Sequence, residues 1–421
     1  MTLRFRAART VVVIAAVATA ASACSSKATS GTDAGSAPAG AVKTGVGVTA
    51  DTIKVGVLTD LSGPIAPLGK NGLAGSQLFF EQQNAKGGVC GRKIDLVAYD
   101  NKYNVQNSVS LFPTVNAEVI GLTNFSGAAD VLAVQQSIKK DKMVVLPSSY
   151  DSSLLSIPTA AIPGSPYDIE TINGISYLVE QKKLAAGDTL AVIHYPTGIG
   201  QNVLSGARAA GKHFGVKVVE QEVAPSATDV TAQVNAARAA GAKVIVMGTA
   251  GNQTVAAASV VQATGYDATL LATNLISAAA LATPAKDALL NKVVLTSNTL
   301  PLSSDNPAAK AFGEAWKAKF PDTPVTASAG AGYVFAQVFN AILEKACDNK
   351  DLTRDGLISA LRGLTSVDSG GLQVDLDFSK AGQPASRSTN ILKPDADAFD
   401  GVKLVQAGYS ADFAKQYQPG S

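Results

Sequence analysis

From residue 51 onward, short β-branched apolar runs alternate with longer segments of helical periodicity. The run from Thr52 to Leu61 reads as a strand that ends in the turn Ser62-Gly63-Pro64. A helical pattern follows over 68–85, stopped by Gly87-Gly88. Strands are predicted at 93–100, 119–125 and 143–147, with helices over 105–116, interrupted at Pro113, and over 129–140. Three prolines make 151–168 a crossover. The alternation then resumes with helices at 169–184, 202–214, 231–240 and 253–264, and strands at 189–195, 216–223, 243–248 and 268–273. A strand at 292–298 precedes helices at 308–320, 329–346 and 353–364, a strand-like segment at 372–378, and an acidic, Gly-containing C-terminal region. Strand–helix alternation of this kind implies right-handed βαβ units and mainly parallel sheets, so the fold class is α/β. The folded part, roughly 370 residues, exceeds what one hydrophobic core organises, so two similar lobes are expected.

The first residues follow a different pattern. Arg4, Arg6 and Arg9 form a positive stretch, and an uncharged run from Thr10 to Ala23 ends at Cys24. That is the charge and length pattern of a secretory signal over 1–23. The run is shorter than the ~18–20 residues a spanning helix needs. Ala21-Ser22-Ala23-Cys24 resembles the lipobox of bacterial lipoproteins, with Ala21 where a larger aliphatic is usual, and implies lipidation at Cys24. The alternative is ordinary cleavage after Ala23. Residues 24–50, rich in Gly, Ala, Ser and Thr, read as a flexible tether. An extracytoplasmic protein anchored to the cell membrane by an N-terminal lipid is therefore expected.

With a net charge of +2, the chain offers no electrostatic case for nucleic acid. Cys90 and Cys347 remain after Cys24. In an exported protein this even pair points to a Cys90–Cys347 disulfide, with two separate buried thiols as the alternative. Gly63 to Lys70 imitates a phosphate loop, but five residues separate Gly63 from Gly69 and Asn71 follows Lys70. His194 and His213 lack the carboxylate partners of a metal site, and no Gly-x-Ser-x-Gly elbow is present. Neither a cofactor, a metal nor catalysis is expected.

The positive signal lies at the strand ends, where open α/β sheets bind ligands. Those ends read Ser62-Gly63-Pro64, Asn124-Phe125-Ser126-Gly127, Pro147-Ser148-Ser149-Tyr150, His194-Tyr195-Pro196, Gly248-Thr249-Ala250-Gly251-Asn252 and Thr273-Asn274. Helix capping competes for any one of them. Six polar ends together point to a cleft that accepts a small polar or anionic group.

From Thr52 to about residue 410 the chain resembles the type I periplasmic binding proteins of the leucine/isoleucine/valine kind, the substrate-binding subunits of ABC importers. Residues 53–100 carry the match: the Ser-Gly-Pro turn, Gly69, Asn84-Ala85-Lys86-Gly87-Gly88, Gly91-Arg92 and a strand ending Tyr99-Asp100. Val119-Ile120-Gly121, the strand from Val144 to Pro147, and Gly332-Tyr333 extend it. The resemblance implies two Rossmann-like lobes joined by a three-strand hinge, with lobe 1 over 51–165 plus 296–385 and lobe 2 over 166–295 plus 386–421. It further implies a monomer that closes on a small-molecule ligand and docks on an ABC permease and its ATPase. A ligand sensor for a membrane receptor using the same clamp is the alternative.

By position, the resemblance places Ser126, Gly127, Ser148, Ser149 and Tyr150 around a ligand carboxylate, with Leu68 after the Ser-Gly-Pro turn. In the second lobe it places Tyr195, Ile199, Ala250 and Asn274, with no carboxylate to receive an ammonium group. Burying an unpaired ammonium costs several kcal/mol, roughly. The expected ligand is therefore not a standard α-amino acid. It is a small carboxylate or amide with an apolar body, and a branched-chain amino acid is the alternative.

Overall fold

The computed structural model of the chain describes residues 41–273, 276 and 278–419. Strand β1 (Lys43–Thr44) leads into β2 (Thr52–Thr59), α1 (Ala66–Ala85), β3 (Lys93–Asp100), α2 (Val105–Glu118), β4 (Gly121–Phe125), α3 (Ala128–Ala133), α4 (Gln135–Lys140) and β5 (Val144–Pro147). Strands β2 to β5 form a parallel four-stranded sheet in the order β3-β2-β4-β5. Every residue of β4 and β5 is buried, which is why these strands read as unbroken apolar runs rather than alternating ones.

The next elements are α5 (Tyr167–Glu180), β6 (Thr189–His194), α6 (Ile199–Phe214), β7 (Lys217–Glu222), α7 (Thr231–Ala239), β8 (Ala242–Gly248), α8 (Gly251–Ala263), β9 (Thr269–Thr273), α9 (Lys286–Lys292) and β10 (Val293–Ser297). After α10 (Pro307–Lys319), α11 (Ala327–Asp348), β11 (Asp351–Leu352) and α12 (Arg354–Arg362) come β12 (Thr389–Pro394), β13 (Val402–Tyr409) and α13 (Asp412–Gln416). The second sheet has seven strands in the order β13-β12-β10-β9-β8-β6-β7, with β12 and β13 antiparallel and the rest parallel. Successive strand residues serve opposite faces. Leu190 and Val192 pack with Ile169, Ile172 and Ile175 of α5, whereas Ala191 and Ile193 pack with Val234 of α7 and Val261 of α8.

Helix α11 returns to the four-stranded sheet, where Phe335, Phe339 and Ile342 join Ile53, Val55 and Ile120 in one core. Its contact with α1 depends on glycine. A Cβ on Gly332 would lie 1.9 Å from the Gly72 carbonyl oxygen, and the approach lets the Ser76 hydroxyl donate to Gly332 O at 2.8 Å. The Cys90–Cys347 disulfide forms, fastening the turn before β3 to the end of α11 across a Cα–Cα distance of 5.8 Å.

The chain passes between the two sheets three times, and the passages are sewn together. Asn298 exchanges two hydrogen bonds with the Ser165 backbone, the Ser165 hydroxyl donates to Ser388 O at 2.8 Å, and the Thr389 hydroxyl donates to Ser297 O at 3.0 Å.

Some elements differ from the sequence expectation. Helix α2 runs through Pro113 unbroken, because Phe112 and Val115 are both buried and their packing outweighs one lost backbone bond. The helix expected at 129–140 is two six-residue helices joined at Val134. Residues 372–378 make one isolated bridge, Thr299 with Gln373, rather than a strand. Their alternation is real nonetheless, since Leu372, Val374, Leu376 and Phe378 all point inward. The C-terminal region holds the β12–β13 pair. Within the stretch expected to be a tether, β1 pairs in parallel with β11, and Val42 and Val48 pack on the core. Cys24 and the signal segment lie outside the described residues.

Candidate functional site

The strand ends singled out from sequence lie at the carboxyl edges of the two sheets. After β4, the Ser126 N–H donates to Leu58 O at 3.0 Å and Ser126 itself is buried. Its hydroxyl reaches Asn101 Oδ1 at 3.5 Å, inside a web in which Asn101 Nδ2 and the Ser108 hydroxyl both donate to Asp130 Oδ1. Gly127 has φ +87°, and a Cβ there would lie 2.1 Å from the Asp130 carboxylate, so only glycine fits the turn. Burial pushes the Asp130 carboxyl above its usual range, with the Ser108 hydrogen bond pulling the other way.

After β5, Ser148, Ser149 and Tyr150 are partly exposed. The Ser148 N–H extends the ladder to Phe125 O at 3.0 Å, and Tyr150 O accepts the Tyr167 N–H at 2.9 Å. The Tyr150 ring packs edge-on to Tyr167 at 5.8 Å and tilts over Phe335 at 6.4 Å. Among the described residues, the Ser148, Ser149 and Tyr150 hydroxyls meet no hydrogen-bond partner. Burial first, then the neighbouring Tyr167 and Glu170, hold the Tyr150 hydroxyl in its protonated form.

On the seven-stranded side, the Tyr195 hydroxyl donates to Gln253 Oε1 and accepts the Ala250 N–H at 3.0 Å. Gln253 is anchored in turn, donating to Ala227 O at 2.8 Å. Tyr195 and Ala250 are thus brought together, from the ends of β6 and β8. Ile199 opens α6 and packs against the α5–α6 core. Leu68 is half-exposed on the first turn of α1. Asn274 lies outside the described residues.

Two further tyrosines, missed from sequence, belong to this region. Tyr167 opens α5 against Tyr150. Tyr103 follows β3, and its ionisation is opposed by burial first, then by Asp130 and by Tyr195. Tyr103 in turn opposes the ionisation of Tyr167, after burial and Glu170. Side chains from the edges of both sheets therefore converge. The signal in the chain is weak: Tyr103 lies three residues past the end of β3, and Tyr167 directly follows Pro166.

The carboxylates beside the tyrosines are shielded. Glu170, buried near Thr296 and Thr389, is pushed by burial up to about 8, so it is mostly protonated at neutral pH. Burial likewise pushes Asp168 up to about 6, against the opposing pull of Ser152. Asn202 of α6 ties that segment together, its Oδ1 accepting the Asp168 N–H at 3.1 Å and its Nδ2 donating to the Ser152 hydroxyl. Among the described residues there is no cluster of His, Cys, Asp and Glu fit for a metal ion, and no helix is long and apolar enough to cross a membrane. The arrangement supplies neutral hydroxyl donors, backbone N–H groups and aromatic faces. Such groups suit the binding of a small polar head with an apolar body.

A family model for periplasmic binding proteins matches residues 52–398. A solved structure described as a fatty acid ABC transporter substrate-binding protein from Thermomonospora curvata is 37% identical, covering 90% of this chain and 97% of that one, with a TM-score of 0.85. A branched chain amino acid ABC transporter structure from Thermus thermophilus with bound valine shares the fold at TM-score 0.77 and 16% identity, over 87% of this chain and 98% of that one. The Leu/Ile/Val-binding protein homolog 7 of Brucella suis biovar 1 is 26% identical over 338 residues, 74% of this chain and 79% of the relative. The chain belongs to the periplasmic binding proteins, in their type I, leucine/isoleucine/valine-binding-like class, and is a solute-binding protein of ABC transporter type rather than an enzyme.

Proposed function

We propose that this protein captures a monocarboxylate with an apolar body in the cleft between its two sheets and delivers it to an ABC importer permease. Lobe 1, residues 51–165 plus 296–385, and lobe 2, residues 166–295 plus 386–421, close on the ligand about the three sewn passages. The unpartnered hydroxyls of Ser148, Ser149 and Tyr150 carry this reading: they are donors held ready at one strand end, and a carboxylate is the acceptor they lack. Glu170, which opposes the ionisation of Tyr150, is itself mostly protonated at neutral pH, so it neither repels such a head group nor pairs with an ammonium. Tyr150, Tyr167 and Tyr195 offer aromatic surface to an apolar body. The name of the Thermomonospora relative supports an aliphatic chain. Leu68, Ser126, Gly127, Ile199, Ala250 and Asn274 complete the ligand set proposed by position, and the protein acts as a monomer.

Cys24 carries a lipid in this proposal, holding the binding domain near the permease. Replacing it with serine should move the protein from the membrane to the soluble fraction, and unchanged membrane retention contradicts the anchor.

The test of the ligand class is calorimetric titration with octanoate, benzoate and leucine, repeated on Tyr150→Phe. Binding of a monocarboxylate that weakens about tenfold in the variant supports the proposal. Leucine binding with no response to either carboxylate removes it.

A further inference from the structure

Tyr103 stands in an unusual position. It is 47% exposed, so about half of its surface stays open to solvent. It is also the second of two consecutive residues in the left-handed region, with Lys102 at φ +55° and Tyr103 at φ +50°. Residues with a side chain avoid that region, and such positions persist where the surroundings enforce them, often at ligand clamps.

The enforcement is visible. The Lys102 N–H donates to Asp100 Oδ1 at 3.0 Å, and the Tyr103 N–H donates to Asn101 Oδ1 at 3.1 Å. Asn101 is fully buried, and the same Oδ1 accepts the Ser126 hydroxyl. The backbone of Tyr103 is thus locked to the interior web at the end of β4, while its side chain stays half-exposed. That side chain stands three residues past the end of β3, whose parallel pairing puts it on the same carboxyl edge of the sheet as the Ser126 and Ser148 strand ends. The electrostatic influence of Tyr195 on it agrees with a place facing the seven-stranded half. A half-exposed aromatic held in the left-handed region at the ligand-facing edge of the sheet is placed by its backbone hydrogen bonds rather than by a core.

We propose that Tyr103 is a ligand-gripping residue, its ring covering the apolar body of the bound solute from the four-stranded side while Tyr195 covers it from the other. The grip rests on the monocarboxylate reading above and adds to it the side chain that senses chain length. A short acid such as acetate has a head group but nothing for the ring to cover, whereas octanoate has a tail that spans the tyrosines. Tyr103 then contributes to affinity for the second and not the first.

Glycine at this position separates a functional residue from a structural one, because it accepts φ +50° without penalty. The experiment titrates octanoate and acetate into wild type, Tyr103→Gly and Tyr103→Phe by calorimetry, and measures ligand-free thermal unfolding of each. Tyr103→Gly is expected to weaken octanoate binding about tenfold or more while its unfolding midpoint stays level or rises. Tyr103→Phe, which keeps the ring, should stay within about threefold of wild type. Unchanged octanoate affinity in Tyr103→Gly overturns the role of Tyr103 alone, and so does a weakened affinity accompanied by a midpoint several degrees lower. Failure of wild type to bind any of the acids overturns the monocarboxylate reading, and the grip falls with it.

Discussion

Asn298 holds the backbone of Ser165 from both sides: its Oδ1 accepts the Ser165 N–H at 2.7 Å and its Nδ2 donates to the Ser165 carbonyl at 3.1 Å. Both residues are buried, and each lies where the chain passes from one sheet to the other. Asn298→Ala leaves two backbone groups without partners, at about 1–3 kcal/mol for each group that stays dry. The expected result in urea denaturation is a loss of roughly 2 kcal/mol or more, with weaker ligand binding because the passages no longer move as one unit. An unchanged midpoint means the clasp is dispensable.

Closing a span of 257 residues, the Cys90–Cys347 disulfide restricts the unfolded chain far more than the folded one. In the chain-entropy view such a loop contributes about 5 kcal/mol, an upper figure because real unfolded chains keep some structure. Reduction with dithiothreitol, or Cys347→Ser, should lower the denaturation midpoint strongly while leaving the circular dichroism of the folded protein intact. Equal midpoints with and without reductant contradict this.

Burial of Glu170 makes stability depend on pH in a definite direction. Its carboxyl titrates near 4.5 in the unfolded chain and at about 8 in the folded protein. Between those values the folded protein keeps a proton that the unfolded chain has released, so stability falls as pH rises, by about 1.4 kcal/mol per unit at most. Asp168 adds a similar slope at lower pH, up to about 6. Glu170→Gln removes the upper part of the dependence. Its advantage over wild type, measured by denaturation at pH 5 to 8, should therefore grow with pH, and a constant difference contradicts a buried, protonated Glu170.

Gly332 leaves no room for a side chain against Gly72. Gly332→Ala should push α11 away from α1 and cost about 1–3 kcal/mol, read as a lower unfolding midpoint. A neutral effect means the helices are looser than the Ser76–Gly332 hydrogen bond implies.

Much of this fold was written in the hydrophobic pattern. Buried parallel strands such as Val144–Pro147 announce themselves as short apolar runs, and the Gly-stopped helix before Cys90 is equally plain. Pro113 misled because a local breaker lost to the burial of Phe112 and Val115, which no local window contains. The segment 372–378 alternates like a strand but pairs only through the single bridge of Gln373 with Thr299, its apolar side turned inward. At the site, Ser148 to Tyr150 could be found as a polar strand end. Tyr103 and Tyr167 could not, because their meaning arises only when the edges of two sheets are brought face to face. Ser126 is legible as a polar strand end too, but its burial and the 3.5 Å contact of its hydroxyl with Asn101 Oδ1 are not.

The most direct test of the central claim is calorimetric titration of the purified protein with octanoate and, separately, with leucine. Micromolar or tighter binding of octanoate with no heat from leucine is the predicted result. Micromolar binding of leucine with none of octanoate would contradict it, and would mean that an ammonium group finds a partner in this cleft despite the protonated Glu170.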